Sequence, residues 1–320
     1  MALKLERKDP QLVASLACPS CGGKLAVADD LRCRSHDCGA LFAIEDGVPI
    51  LLEEGGSVFL AQDVVEHFRR VGLRRVDRTS RVETLLRLLP RLTGSPVSKR
   101  NFARFATELL EWCERPRVLI VGGGKLGEGM EEIARNHSIT FFPTDVYMSD
   151  LTLAVCDGHA LPFQDECFDG AIVQAVLEHV PDPDRVVREI WRVLRLGGIV
   201  YSETPFLSPV HEGRYDFTRF TRRGHRRLFR RFDEISSGAT HGPGTMLAVS
   251  YRYFLRSFTR SRLSAGLILV FASLSAFWLK YCDRFLLTRT HADDAAAGFA
   301  FLGRKTARTY SDREIVSMYD

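Results

Sequence analysis

Several common signals are missing from this chain. Residues Met1–Gln11 hold no apolar run, because Lys4, Glu6, Arg7, Lys8 and Asp9 interrupt it, so they do not read as a signal peptide. An excess of one charge is nearly absent too: 44 Lys+Arg against 40 Asp+Glu leave a net +4, which demands no broad nucleic-acid footprint. A disulfide framework is also missing, since Cys113, Cys156, Cys167 and Cys282 are scattered without pairing logic. A reducing cytoplasm is therefore the expected compartment. What is present is the composition of an ordinary folded protein, 320 residues at 45% hydrophobic and 26% charged, enough for one sizeable domain and a small module.

The other four cysteines follow a pattern. Cys18, Cys21, Cys33 and Cys38 are spaced C-x2-C-x11-C-x4-C, two knuckles either side of a short hairpin. Such spacing presents four thiolates to a tetrahedral Zn²⁺, with His36 as a weaker substitute for Cys38. With all four positions filled by protein, the ion would be structural and would help fold a unit too small for its own core.

The most informative stretch runs from Arg117 to Pro205. The apolar strand Val118–Val121 leads into Gly122-Gly123-Gly124-Lys125-Leu126-Gly127, and a helix is expected over about Glu128–Asn136. A second strand, Ile139–Thr144, ends on Asp145. Glycines let a backbone approach a bound group closely, and amide N–H groups at a helix start favour negative charge. An acid ending the second strand is placed to accept both hydroxyls of an unphosphorylated ribose. Read alone, Gly122-x-Gly124-x-x-Gly127 also satisfies a nicotinamide-dinucleotide fingerprint.

Downstream residues favour a different cofactor. Asp157-Gly158-His159-Ala160-Leu161-Pro162-Phe163, Phe168-Asp169, Leu177-Glu178-His179-Val180-Pro181-Asp182-Pro183 and Arg192-Val193-Leu194-Arg195-Leu196-Gly197-Gly198 follow in order. From residue 117 to about 205 the chain resembles the class I S-adenosylmethionine-dependent methyltransferases. The resemblance implies an α/β fold with a seven-stranded, mostly parallel Rossmann-like sheet. It also implies that Gly122, Gly123, Gly124 and Gly127 lie under the methionine and ribose of S-adenosylmethionine. Asp145 would take the ribose hydroxyls, Asp157 the adenine amino group, Gly158 and His159 would flank the ring, and Gln174 would sit near the departing methyl. The chain departs from the family at Ile120, where an acid is usual, and in the spacing of Gly124 and Gly127. Were the acceptor a hydroxyl, His179, His211 and Glu203 are the candidate bases.

The ribbon has a resemblance of its own. Gly22-Gly23-Lys24-Leu25 and Cys38 through Leu52 resemble the small zinc-ribbon proteins that activate tRNA and translation-factor methyltransferases. The expected organisation is a zinc ribbon over 1–55, a helical linker or lid over 56–115, and a methyltransferase domain over 116–305 with a helical insertion at about 244–292. A tail covers 306–320. In the linker, Phe59, Val64, Val65 and Phe68, and then Leu85, Leu86, Leu88 and Leu89, recur at helical spacing; helix resumes over Asn101–Cys113.

Two segments bear on the acceptor. Tyr215-Asp216-Phe217-Thr218-Arg219-Phe220-Thr221 resembles methyltransferases of surface polysaccharide and other glycosylated or lipid-linked acceptors, and eight arginines lie between Arg214 and Arg231. Guanidinium groups suit an anionic partner, or else form a solvated helix face with Leu228, Phe229 and Phe232 turned inward. Leu263–Leu279 carries no charge and is flanked by Arg252, Arg256, Arg260, Arg262, Lys280 and Arg284. Seventeen residues are at the short limit for a bilayer, so a buried or homodimer-forming helix, or attachment to a membrane surface, is expected. The favoured activity is methylation of a small or carrier-linked acceptor, a saccharide, lipid intermediate or secondary metabolite. RNA methylation is the alternative, and a non-catalytic partner subunit of the same fold is a lesser one.

Overall fold

The computed structural model describes residues 9–28, 30–53, 55–71, 89–90, 92–211 and 213–319, without the side chains of 68–71 and 262. The expected helix over Leu85, Leu86 and Leu88 and the side chain of Phe68 lie outside the described residues; Leu89, within them, is not helical.

A small antiparallel sheet comes first, β1 (Leu25–Val27), β2 (Leu31–Cys33) and β3 (Leu41–Phe42). The principal sheet contains β4 (Ile44–Glu45), β5 (Val48–Leu51), β6 (Arg117–Val121), β7 (Thr140–Asp145), β8 (Ala154–Cys156), β9 (Phe168–Gln174), β10 (Leu194–Pro205), β11 (Phe232–His241) and β12 (Gly298–Lys305). Its order is β11-β12-β10-β9-β6-β7-β8-β5-β4. Pairing is parallel from β5 through β10 and antiparallel at both margins, β4 with β5 and β12 with β10 and β11.

The sheet thus has nine strands, which corrects the expected seven. The two additional strands come from the N-terminal module. Every residue of β5, Val48-Pro49-Ile50-Leu51, is buried, and Ile50 and Leu51 pair with Val155 and Cys156. A continuous apolar run suits a strand covered on both faces. Counting it within the ribbon hid that role.

Helices cover both faces. On α3 (Pro96–Trp112), Phe102, Phe105 and Leu109 pack with Val118, Ile172 and Tyr201. On α4 (Pro183–Val193), Val186, Val187 and Ile190 pack with Leu119, Phe142 and Phe168. Each such fully buried side chain contributes about 1.5–3 kcal/mol. Helix α3 begins at Pro96, earlier than the spacing predicts, because Ser95 caps it: its Oγ accepts Val97 N–H at 3.1 Å, with proline in the first turn. Two short helices, α1 (Pro10–Val13) and α2 (Ala61–Val71), precede it.

The helix expected over Glu128–Asn136 is not formed; only a 3-10 turn, Ile133–Arg135, stands there. Gly127 and Gly129 weaken helix in the first turn, and Gly129 takes φ +86° where a Cβ would approach the Lys99 backbone N within 2.9 Å. Close packing against α3 replaces the regular helix.

Helix α5 (Arg222–Leu228) precedes β11; α6 (Pro243–Arg256), α7 (Arg262–Ala276) and α8 (Leu279–Leu286) fill the interval before β12, and α9 (Asp312–Ser317) closes the chain. Asp283 on α8 ties this hairpin to the core. Its carboxylate accepts the N–H groups of Gly242, Gly244 and Thr245 at 3.1, 2.7 and 3.0 Å and the Thr245 hydroxyl at 2.6 Å, satisfying the N-terminus of α6.

Candidate active site

The glycine turn leaves β6 at the carboxyl end of the parallel strands. Gly122 has φ +74°, and a Cβ there would collide with Val176. A Cβ on Gly123 would lie 2.7 Å from Pro143 Cβ, and one on Gly124 2.7 Å from Asp145 Oδ2. At Gly127 it would collide with Gln174 Oε1. Side chains are therefore excluded at Gly122, Gly123 and Gly124, whereas at Gly127 the obstacle is the movable end of Gln174; Ile120 packs beneath the turn rather than supplying a carboxylate.

Asp145 ends β7 directly beside this turn. Its carboxylate accepts Gly124 N–H and Val146 N–H, both at 2.7 Å. Burial raises its carboxyl above the ordinary value, while the Gly124, Val146 and Tyr147 amides and Lys125 pull the other way. Beyond it, Val146, Tyr147 and Met148 line a cavity of about 310 Å³ with Phe59, Arg214 and Tyr215 on its far side.

Asp157 follows β8. It accepts His159 Nδ1 at 2.5 Å, His159 N–H at 3.0 Å and the Ser57 hydroxyl at 2.5 Å. Burial opposes ionisation, but these bonds outweigh it and hold the carboxyl below its ordinary value. Gly158 packs against Val186 and Val121, and a Cβ there would meet Val186 at 3.2 Å. The sequence reading missed Ser57, which lies a hundred positions from its partner and carries no local motif.

Gln174 ends β9. Its Nε2 donates to Glu203 Oε2 at 2.6 Å and to the Glu128 carbonyl at 3.0 Å, while its Oε1 is buried without a hydrogen-bond partner. Tyr201 donates to the other oxygen of Glu203. Burial raises the Glu203 carboxyl, against hydrogen bonds from Tyr201 and Gln174.

The other two candidate bases form a separate group. His179 Nε2 and His211 Nε2 are 3.1 Å apart, and His179 Nδ1 is 2.9 Å from the Tyr215 carbonyl. Beside them stands Glu178, fully buried, with neither carboxylate oxygen hydrogen-bonded and its carboxyl pushed up to about 7 by burial. The sequence shows Glu178 only as part of a motif; its side-chain isolation is a tertiary fact.

The four N-terminal cysteines converge as well. Their sulfurs all lie within 4.8 Å of one another, with Cys18 and Cys38 at 3.8 Å and Cys21 and Cys33 at 3.5 Å. A tetrahedron with bonds of about 2.3 Å has edges of about 3.8 Å, so the cluster fits one zinc ion. The Gly23 and Ser35 amides point at Cys21 and Cys33 sulfurs at 3.4 Å, the orienting bonds such ligands need. His36 stands exposed beside Asp37, outside the cluster.

The arginines after Arg214 are largely engaged inside the protein. Arg219 pairs with Asp216, Arg222 with Asp293, and Arg227 with Asp312. Arg226 is buried, donating to the Phe229 and Phe232 carbonyls and pairing with Glu234 at 3.0 Å.

Residues 109–202 match the family model described as a methyltransferase domain. A curated relative from Xylella fastidiosa (strain M12), ubiquinone/menaquinone biosynthesis C-methyltransferase UbiE, is 49% identical over 43 residues, 13% of this chain and 17% of the relative. Its namesake from Xanthomonas oryzae pv. oryzae (strain MAFF 311018) is 30% identical over 103 residues, 30% of this chain and 38% of the relative. The chain spans about a sixth of the length of the first of these. Among solved structures, Haemonchus contortus phosphoethanolamine N-methyltransferase 2, in complex with S-adenosyl-L-methionine, aligns with a TM-score of 0.41 at 15% identity, covering 64% of this chain and 52% of that one.

Proposed function

We propose that the chain is an S-adenosylmethionine-dependent methyltransferase acting on a small or carrier-linked acceptor. One observation carries the reading: a turn in which Gly122, Gly123 and Gly124 leave no room for a side chain adjoins Asp145, and Asp157 follows the next strand over. Three neighbouring strand ends thus present the donor set an adenosine with a free ribose needs. S-adenosylmethionine supplies a methyl group on a sulfonium, a leaving group that departs without protonation. What remains for the protein is to hold the acceptor in line and keep water out. Asp145 would exchange its Gly124 amide bond for ribose hydroxyls, and Asp157 would accept the adenine amine alongside Ser57. Gln174, whose buried Oε1 has no partner, is the polar group nearest the close approach of Gly127.

Isothermal titration with S-adenosylmethionine and its demethylated product tests this directly. Both are expected to bind, and Asp145→Ala should weaken them by roughly ten- to a hundredfold, about 1.4–2.8 kcal/mol. NAD binding in place of either, or unchanged affinity in the variant, contradicts the assignment.

A lipid-linked acceptor fits best. The insertion exposes Phe258, Leu263, Leu267, Phe271, Trp278 and Phe285, each more than half accessible, with Arg256, Arg260 and Arg284 exposed beside them. No single described helix is long and apolar enough to cross a membrane; Leu263–Ala276 and Leu279–Leu286 meet the criterion only as a pair bent by 44°. An apolar ridge with a basic rim suits the face of an anionic lipid surface. The two UbiE relatives are named for ubiquinone and menaquinone biosynthesis, which supports a small-molecule acceptor. RNA is disfavoured because so many arginines near the site are paired internally. The cysteine cluster binds structural zinc in this reading.

A further inference from the structure

The group formed by Glu178, His179 and His211 is not explained by cofactor binding. His179 Nδ1 lies 2.9 Å from the Tyr215 carbonyl, an acceptor, so this nitrogen carries the ring's proton and Nε2 is left with its lone pair. His211 Nδ1 lies 3.4 Å from the Pro209 carbonyl and 3.5 Å from Asp216 Oδ2, both acceptors. The two Nε2 atoms face each other at 3.1 Å, so a proton or a cation lies between them.

Glu178 supplies a second, independent observation. Its side chain is completely buried, yet neither oxygen has a hydrogen-bond partner, and Oε1 stands 3.6 Å from His179 Nε2 and 4.0 Å from His211 Nε2. An unpartnered buried carboxylate is costly and is rarely retained without a cation. A triangle with sides of 3.1, 3.6 and 4.0 Å has a circumradius of about 2.1 Å, so one point is equidistant from all three atoms at the length of a transition-metal bond to nitrogen or oxygen.

We propose that Glu178, His179 and His211 bind one divalent transition-metal ion through Oε1 and the two Nε2 atoms. Two imidazoles and one carboxylate suit zinc, iron(II), cobalt(II) or manganese(II) and leave coordination positions for water or an oxygen of a ligand. The Tyr215 carbonyl on His179, and the Pro209 carbonyl and Asp216 on His211, are the outer partners that orient metal-binding imidazoles. Asp216 is itself fixed by Arg219, so the Tyr215–Thr221 segment positions the site. Leu177–His179 follows β9 three residues after Gln174, which sets the ion beside the methyl-transfer end of the proposed cofactor pocket. The inference does not depend on methyl transfer, since it rests on these three side chains alone.

The test uses the full chain. After EDTA treatment, with the zinc remaining in the cysteine cluster quantified by mass spectrometry, cobalt(II) is titrated calorimetrically and by visible absorption. One further equivalent is expected, with spectra of nitrogen and oxygen rather than thiolate ligands. His211→Ala, on an accessible loop, and Glu178→Gln should each weaken cobalt binding at least tenfold while leaving the cysteine-bound zinc unchanged. His211→Ala decides the matter should Glu178→Gln not fold. Failure of the wild-type chain to take up cobalt beyond the cysteines overturns the proposal, as does equal affinity in a folded His211→Ala.

Discussion

His225 shows how one side chain sets a pH limit on this fold. It is buried on α5, bonded through Nε2 to Ser202 Oγ at 2.8 Å and packed edge-on against Phe229, and burial lowers its pKa to about 3. The folded state therefore keeps the ring neutral, whereas the unfolded chain protonates it near 6.5. Stability from this residue is complete above about pH 6.5 and is lost as pH falls from there toward 3. By pH 5 the loss is about 2 kcal/mol. Denaturant unfolding at pH 7 and pH 5 should show a smaller acid penalty in His225→Gln by about that amount; equal penalties would show that the ring is not held neutral. Nothing in the sequence announces this, because His225 sits in an arginine-rich segment that reads as solvated. The glycines and both aspartates, by contrast, were legible, since backbone clearance and strand-end acids leave a mark at fixed spacing. Ser57 and the isolation of Glu178 were not, since both arise where distant segments meet.

At the scale of elements, strand identity was legible and helix identity less so. Apolar runs located β6 and β7, whereas the segment after the glycine turn lost its helix to glycine and to packing on α3. The α6–α8 insertion illustrates a further gap. Its apolar residues gave length, but only Asp283 reaching back to Gly242, Gly244 and Thr245 shows which face is held against the core and which is left exposed. Anchored this way, the hairpin presents Phe258, Leu263, Phe271 and Phe285 without unfolding. Flotation with vesicles containing anionic lipid should recover the protein, and a Phe258→Ser, Phe271→Ser, Phe285→Ser variant should lose most of that recovery while keeping its cofactor affinity. Concentration-dependent dimerisation with no vesicle binding would assign the ridge to a second copy instead.

For the whole molecule, the consequential feature is that the N-terminal module and the parallel α/β domain share a sheet. Strand β5 pairs with β8, Leu16 bridges to Phe163, and Ala17 N–H donates to the Pro162 carbonyl at 2.9 Å, so the ribbon is joined to the domain at its two ends. Between them lies a cleft of about 540 Å³ lined by Cys18, Pro19, His159, Arg185, Arg188 and Arg192 among others. Six residues past β5, Ser57 reaches Asp157, which places the exit of the module on the proposed adenine subsite. The cysteine-held part has β1 to β3 and few buried side chains of its own, so a zinc ion held by the four cysteines would supply much of its folding energy, whereas β5 is secured by burial. Removing zinc should therefore melt the ribbon without dissolving the nine-stranded sheet. Calorimetry with a strong chelator, or of Cys21→Ser, is expected to resolve a low-temperature transition ahead of the main one. Affinity for S-adenosylmethionine should fall several-fold as the path to Ser57 loosens. An unchanged single transition with unchanged affinity would mean that the cysteines neither fold the module nor communicate with the pocket.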